Sequence, residues 1–135
     1  MYKANKTNGG YQCQQKIHSS GEDYLEAILV LHKKLGIVRS VDVARHLELS
    51  KPSVSVAVNT LIEAGFLTKD SKHFLYLTDA GRDIAEKIYE RHQFFTEELI
   101  KAGVDPKQAE ADACKIEHAI SEQSFRKLKE QKEKK

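Results

Sequence analysis

The chain has 135 residues, enough for one domain or two small ones, and its 40% apolar and 31% charged residues are the balance of a globular protein. No run of about 18 apolar residues occurs, which excludes a helical membrane span, and no apolar signal core opens the chain, so a cytoplasmic protein is expected. The net charge of +2 does not mark a nucleic-acid binder by itself, so the local charge distribution has to be read.

Residues 1–18 hold Lys3, Lys6 and Lys16, a Gly9-Gly10 pair and no acid, and read as a flexible basic arm. Cys13 lies in this arm, far from the other cysteine, Cys114. In a cytosolic chain the two are not expected to form a disulfide, and they are too few to hold an iron–sulfur cluster. The first helix is predicted from about Ser19-Ser20, where Ser19 with Glu22, or Ser20 with Asp23, has capping-box spacing. Leu25, Ile28, Leu29 and His32 recur at helical period, and Gly36 ends the element. Asp23 and Glu26 are neighbours at i and i+3. A favourable interaction with the helix N-terminus explains Asp23 but explains Glu26 less well.

Ser40 is predicted to cap a short helix running from Val41 to about Leu47, with Val43, Ala44 and Leu47 facing a core. A four-residue link leads to a second helix with Ser50 at its N-cap, Pro52 in its first turn and Val54, Val58 and Leu61 buried. Two helices joined by a short turn make a helix-turn-helix. From Ser50 to Ile62 the second helix carries one base, Lys51, and no acid. Its outward residues, Lys51, Ser55, Val56 and Asn59, suit base edges: small hydroxyls, an apolar group for a thymine methyl, an amide for adenine. A plain Ser-rich surface helix would look the same. Residues 66–68 and 74–78 read as two short strands around a mostly basic tip, Lys69 to His73. The order helix, turn, helix, hairpin is that of a winged helix, whose wing would touch phosphate or the minor groove.

Thr78 is predicted to cap a long helix from Asp79 to about Ala102, with a stripe of Ile84, Ile88, Phe95 and Leu99. It is longer than a winged domain needs, and the surplus surface suggests a partner chain. His92, mid-helix among apolar neighbours, reads on its own as a packed residue. Asp105, Pro106 and Gln108 occupy N-cap, first-turn and capping-box places of the next helix, which runs to about Ala119. On that helix Cys114, Glu117 and His118 stand at i, i+3 and i+4, with Glu110 one turn earlier on the same face. A thiolate, carboxylates and an imidazole on one face suit a transition metal. An amphipathic helix with a buried Cys and surface Glu and His is the other reading of the same residues. Ser121 caps a last short helix with Phe125 and Leu128, and residues 129–135 read as a charged, frayed tail.

These pieces together resemble the metal-dependent repressors of the DtxR/MntR family. The matching stretches are Glu22 to Glu26, Ser50 to Ser55, Leu77 to Gly81, Glu90 to His92 and, most specific, Ala113 to Ser121. The resemblance covers about residues 19–128. It implies a mainly α fold with a small β-hairpin wing: a winged helix-turn-helix DNA-binding domain over 19–80 and a helical metal-binding and dimerisation domain over 81–128. It implies a homodimer that binds a double-stranded, palindromic operator when loaded with Mn²⁺ or Fe²⁺, with Zn²⁺ possible in vitro. No organic cofactor, membrane partner or enzymatic activity is expected.

By position, the resemblance implies the ligand set Asp23, Glu26, His92, Cys114, Glu117 and His118, with Glu110 accessory. Asp23, Cys114, Glu117 and His118 would form one site, and Glu26 and His92, with Glu117 close by, a second. Manganese-type members agree at Asp23 and Glu26 but tend to carry Glu where Cys114 stands. Iron-type members carry Cys there but Met at the position of Asp23, and add an SH3-like domain for which this chain is not expected to leave room. The DNA-contact candidates are Arg39, Ser40, Ser50, Lys51, Pro52, Ser53, Ser55, Val56, Asn59, Lys72 and His73. A winged-helix regulator sensing a non-metal or redox signal through Cys114 is the alternative. A Zn²⁺ enzyme lacks any further positioned acid–base pair, and a metal buffer would bind DNA only non-specifically.

Overall fold

The computed structural model describes residues 20–134. Expectations for the basic arm, including Cys13, His18 and the Ser19 cap, fall outside them. Six helices and one hairpin follow in the order α1 (Ser20–Leu35), α2 (Ser40–Leu47), α3 (Lys51–Glu63), β1 (Leu67–Lys69), β2 (Leu75–Leu77), α4 (Asp79–Lys101), α5 (Pro106–Ala119) and α6 (Glu122–Glu133). Among the described residues no helix is long and apolar enough to cross a membrane.

The winged half forms around α1. Leu25, Ile28 and Leu29 bury against Val43 and Leu47 of α2, Val54, Val58 and Leu61 of α3, and Leu67 and Leu75 of the hairpin. These are the positions that the helical period and the strand alternation predict. The hairpin pairs Leu67 with Leu77, Thr68 with Tyr76 and Lys69 with Leu75. It is tied down by Leu75 N–H donating to Val38 O at 2.7 Å, and by His32 Nε2 standing 3.0 Å from Leu75 O.

Local chemistry sets the ends. Ser50 caps α3, its hydroxyl accepting from Ser53 N–H, and Pro52 sits in the first turn, where no N–H is needed. Thr78 caps α4 by accepting from Gly81 N–H and donates its own O–H to Gly65 O at 2.7 Å. Gly81 is required there: a Cβ on it would fall 2.1 Å from Phe66 O, so α4 can approach the end of β1 only without a side chain.

Three expectations need correction. The N-cap of α2 is Arg39, not Ser40, because the Asp42 carboxylate accepts Arg39 N–H at 2.9 Å and draws Ser40 into the first turn. Gln108 does not close a capping box on α5: Asp105 alone accepts from Lys107 N–H and Gln108 N–H, and the Gln108 amide donates to Asp112. The frayed tail is helical as far as Glu133, because Lys129 pairs with Glu90 and Lys132 with Glu97 and Glu98, laying α6 along α4.

α4 packs along α5 and against α1. Arg91 donates to the carbonyls of Glu117 and Ile120 and pairs with Glu122, satisfying the C-terminal carbonyls of α5. α1 therefore contributes both to the core of the winged half and to the junction with α4 and α5.

Candidate metal centre and nucleic-acid face

The junction of α1, α4 and α5 buries ionisable groups that an apolar core would exclude. Glu117 is fully buried and Asp23 nearly so. Successive residues of a helix diverge by about 100°. Glu117 therefore faces α4 while His118, the next residue, faces α1. Glu117 Oε1 lies 2.9 Å from His92 Nδ1, and Oε2 lies 3.2 Å from His118 Nε2. On the far side, His118 Nε2 lies 2.8 Å from Asp23 Oδ1, and Nδ1 lies 2.7 Å from Glu22 Oε1. Among the described residues two groups with metal-ligand spacing result, Asp23 with Glu117 and His118, and His92 with Cys114 and Glu117. Glu117 belongs to both.

The charges settle accordingly. Both ring nitrogens of His118 face carboxylates. Burial opposes its charge, but hydrogen bonds to Asp23, Glu117 and Glu22 override that and push its pKa up to about 11. Burial likewise opposes a charged His92, and Glu117 outweighs it, so His92 is raised. Burial pushes the Glu26 carboxyl up to about 9, helped by the Glu117 carboxylate beside it. Glu117 is disfavoured as an anion by burial, yet the two imidazoles hold it below its usual range. Oε2 of Glu117 is buried, and the His118 ring beside it at 3.2 Å is an ion-pair contact rather than a hydrogen bond of good geometry. A buried carboxylate oxygen short of a donor, amid further carboxylates and imidazoles, fits a divalent cation of the Mn²⁺ or Fe²⁺ type.

All seven sequence-predicted residues lie at this junction, in a different partition from that expected: Glu26, beside Glu117, and Glu110 fall in neither group. Cys114 Sγ stands 3.8 Å from His92 Nδ1 and groups with α4 rather than with Asp23 and His118. It lies one turn before Glu117 and His118, on the side of α5 that α4 covers. Cys114 is disulfide-bonded in this structure, contrary to expectation, so its sulfur can serve a metal only once reduced. Glu110, exposed, reaches to 3.6 Å from His92 Nε2. A cavity of about 550 Å³ opens beside these groups, lined by Glu26, His46, Tyr89, His92, Glu110 and Cys114 among others, and admits solvent to the centre.

Glu22 is the residue that sequence reasoning missed. Its spacing from Ser19 suggests a capping box, whereas its carboxylate bonds the His118 ring. Two adjacent acids on α1 facing a Glu-His pair on α5 would have been the signal.

On the opposite side of the winged half, Lys51, Pro52, Ser53, Ser55, Val56 and Asn59 lie exposed along one face of α3, Val56 with 68% of its surface open. Such exposure for an apolar side chain suits contact with a base. The Ser50 hydroxyl is committed to Ser53, and Ser40 is only half-exposed. The wing tip is held by Asp70, whose carboxylate accepts from Lys72 N–H, Phe74 N–H and the Tyr76 hydroxyl. This presents Lys72 and His73 to solvent, His73 with φ of 68°. The Arg39 guanidinium stacks over the Phe74 ring at 4.6 Å, so the start of α2 and the wing form one basic edge.

Comparison with known proteins agrees with both halves. Residues 16–73 match the N-terminal DNA-binding domain of the iron-dependent repressors, and residues 78–134 match their metal binding and dimerisation domain. The chain belongs to the DtxR/MntR family. It is 34% identical to the transcriptional regulator MntR of Escherichia coli O6:H1 over 104 residues, which cover 77% of this chain and 67% of that one. It is 30% identical over 110 residues to an uncharacterized HTH-type transcriptional regulator of Methanocaldococcus jannaschii, covering 80% and 88%. Among solved structures, IdeR of T. acidophilum superposes with a TM-score of 0.70 at 27% identity, covering 82% of this chain and 52% of that one. The chain spans about half the length of IdeR and of the manganese regulator SloR, whose structure superposes with a TM-score of 0.68 at 25% identity. The DtxR/MntR family is one of transcriptional regulators, not enzymes.

Proposed function

We propose that the protein is a cytoplasmic, metal-activated repressor that binds a palindromic operator as a homodimer when loaded with Mn²⁺ or Fe²⁺. The observation that carries this is Glu117: a fully buried carboxylate shared by two ligand groups drawn from α1, α4 and α5. On this reading residues 1–18 are an arm, 19–80 read DNA, 81–128 bind metal and dimerise, and 129–135 are a charged tail.

The division of labour follows from the placement. Asp23 and Glu26 belong to the helix at the centre of the DNA-reading half, and His92, Cys114, Glu117 and His118 to the other half, with Glu110 accessory. Asp23 on the one half and Glu117 and His118 on the other would hold a divalent cation, which would supply the positive charge that these carboxylates need and would couple the two halves. Ile100 and Leu128, 41% and 39% exposed, together with half-buried Phe94 and Leu99, give α4 and α6 an apolar face for the second copy. A dimer closed there would set two α3 helices about 34 Å apart, one turn of DNA. Ser53, Ser55, Val56 and Asn59 then address bases. Ser40, Ser50, Lys51 and Pro52 line the approach, and Arg39, Lys72 and His73 contact phosphates or the minor groove. The nitrogen and oxygen donors suit Mn²⁺, and a reduced Cys114 adds a thiolate that shifts preference toward Fe²⁺ or Zn²⁺.

The test is anaerobic binding of the reduced protein to DNA upstream of its own gene, with chelator and then with Mn²⁺, Fe²⁺ and Zn²⁺ in turn. Binding that needs metal, and is lost in Glu117→Ala with the fold intact, is expected. Binding indifferent to chelator would remove metal as the signal.

A further inference from the structure

We infer that Glu22 is a positioning residue for the metal centre: its carboxylate holds the Nδ1–H of His118, so that Nε2 is presented to the metal. The inference rests on the metal-centre reading above. An imidazole can offer either nitrogen to a metal, and what decides is the hydrogen bond at the other one. Here Oε1 of Glu22 stands 2.7 Å from Nδ1, while Nε2 points at Asp23 Oδ1 at 2.8 Å and Glu117 Oε2 at 3.2 Å. Nε2 thus faces both other members of its ligand group, and Nδ1 faces a carboxylate outside that group.

The adjacency of Glu22 and Asp23 makes this possible, since consecutive residues of α1 reach opposite edges of one ring. Glu22 brings more than a neutral acceptor would: a carboxylate on Nδ1–H also increases the electron density of the ligating nitrogen. It lies on α1, 96 positions from His118, so the ring is oriented only when the DNA-reading half is docked on α5. The His118 side chain is 3% exposed and that of Glu22 is 45% exposed, so altering Glu22 leaves no buried hole.

The test uses the full reduced chain, titrated calorimetrically with Mn²⁺, as wild type, Glu22→Ala, Glu22→Gln and Glu117→Ala. Glu22→Ala is expected to weaken Mn²⁺ binding about 10- to 100-fold with unchanged stoichiometry. Glu22→Gln, whose amide oxygen still accepts from Nδ1–H, should recover most of that loss. If both variants weaken equally, charge alone matters and the positioning role falls. If Glu22→Ala binds as tightly as wild type while Glu117→Ala does not, Glu22 is a surface acid. If Glu117→Ala also binds normally, the metal-centre reading itself fails. Independently of how any variant folds, ¹⁵N spectra of the Zn²⁺-loaded wild type should show His118 protonated at Nδ1 and metallated at Nε2. The reverse assignment would overturn the inference.

Discussion

Glu26 and His118 carry protons that a bound cation would have to displace, and this gives the centre a definite pH dependence. In the metal-free fold Glu26 holds its proton up to about pH 9 and His118 up to about 11, against ordinary values of 4.5 and 6.5. The native state therefore binds more protons than the unfolded chain across that interval, and its stability falls as pH rises. The contribution of His118 is complete below about 6.5 and is lost on the way to 11. The penalty from Glu26 grows from about 4.5 to 9. Glu117, held below its usual range by the two imidazoles, does not alter the slope above the ordinary carboxylate range. The melting temperature of the metal-free protein should thus drop between about pH 6 and pH 9, while Mn²⁺ affinity rises over the same interval with protons released to the buffer. Titrations in buffers of different ionisation enthalpy measure that release, and a pH-independent affinity would contradict these protonation states. At this scale the convergence of Cys114, Glu117 and His118 was legible because i, i+3 and i+4 spacing needs no tertiary knowledge. Neither the role of Glu22 nor the pairing of Cys114 with His92 was legible, since both depend on which neighbouring helix faces which side of α5.

Helix ends and close approaches decide how the elements present their faces. Gly81 lets the first turn of α4 press on the carbonyl of Phe66, and a methyl group there has nowhere to go. Gly81→Ala should lower unfolding stability by about 1–3 kcal/mol in urea melts, through forced movement of backbone against backbone. A neutral substitution would mean that this contact is looser than 2.1 Å implies. On α3, Asn59 is exposed and its side chain bonds to no other described residue, which suits the proposed contact of its amide with an adenine edge. Asn59→Ala should cost about 1–3 kcal/mol on operator DNA and little on random DNA. Equal losses on both would remove it from base reading. Five of the six helices and the hairpin follow from periodicity, caps and turn residues. The length of α6 does not, because its last turns are held by ion pairs to Glu90, Glu97 and Glu98, more than 30 residues away in sequence. The N-cap of α2 also escaped notice, because Arg39 is no usual cap and the acceptor, Asp42, lies inside the helix.

For the molecule as a whole, α1 is a core helix of the winged half and also an edge of the proposed metal centre. Asp23 and Glu26 project from the same helix whose Leu25, Ile28 and Leu29 anchor α2 and α3. Any cation bonded to Asp23 and to α5 ties the orientation of the recognition helix to the other half, and the linkage is reciprocal. If Mn²⁺ raises operator affinity by about 5- to 150-fold, the usual range of about 1–3 kcal/mol, operator must raise Mn²⁺ affinity by the same factor. Mn²⁺ titrations with and without saturating operator measure the second factor, and DNA binding with and without Mn²⁺ measures the first. The two should agree. Hydrogen exchange locates the coupling: Mn²⁺ should slow exchange at residues 23–27 of α1 and at 114–118 of α5 while leaving the interior of α3 unchanged, because the recognition helix is reoriented rather than refolded. Slowed exchange throughout α2 and α3 would instead mean that metal drives folding of the winged half. In that case the two affinity factors would still match, but the switch would be one of order and disorder rather than of angle.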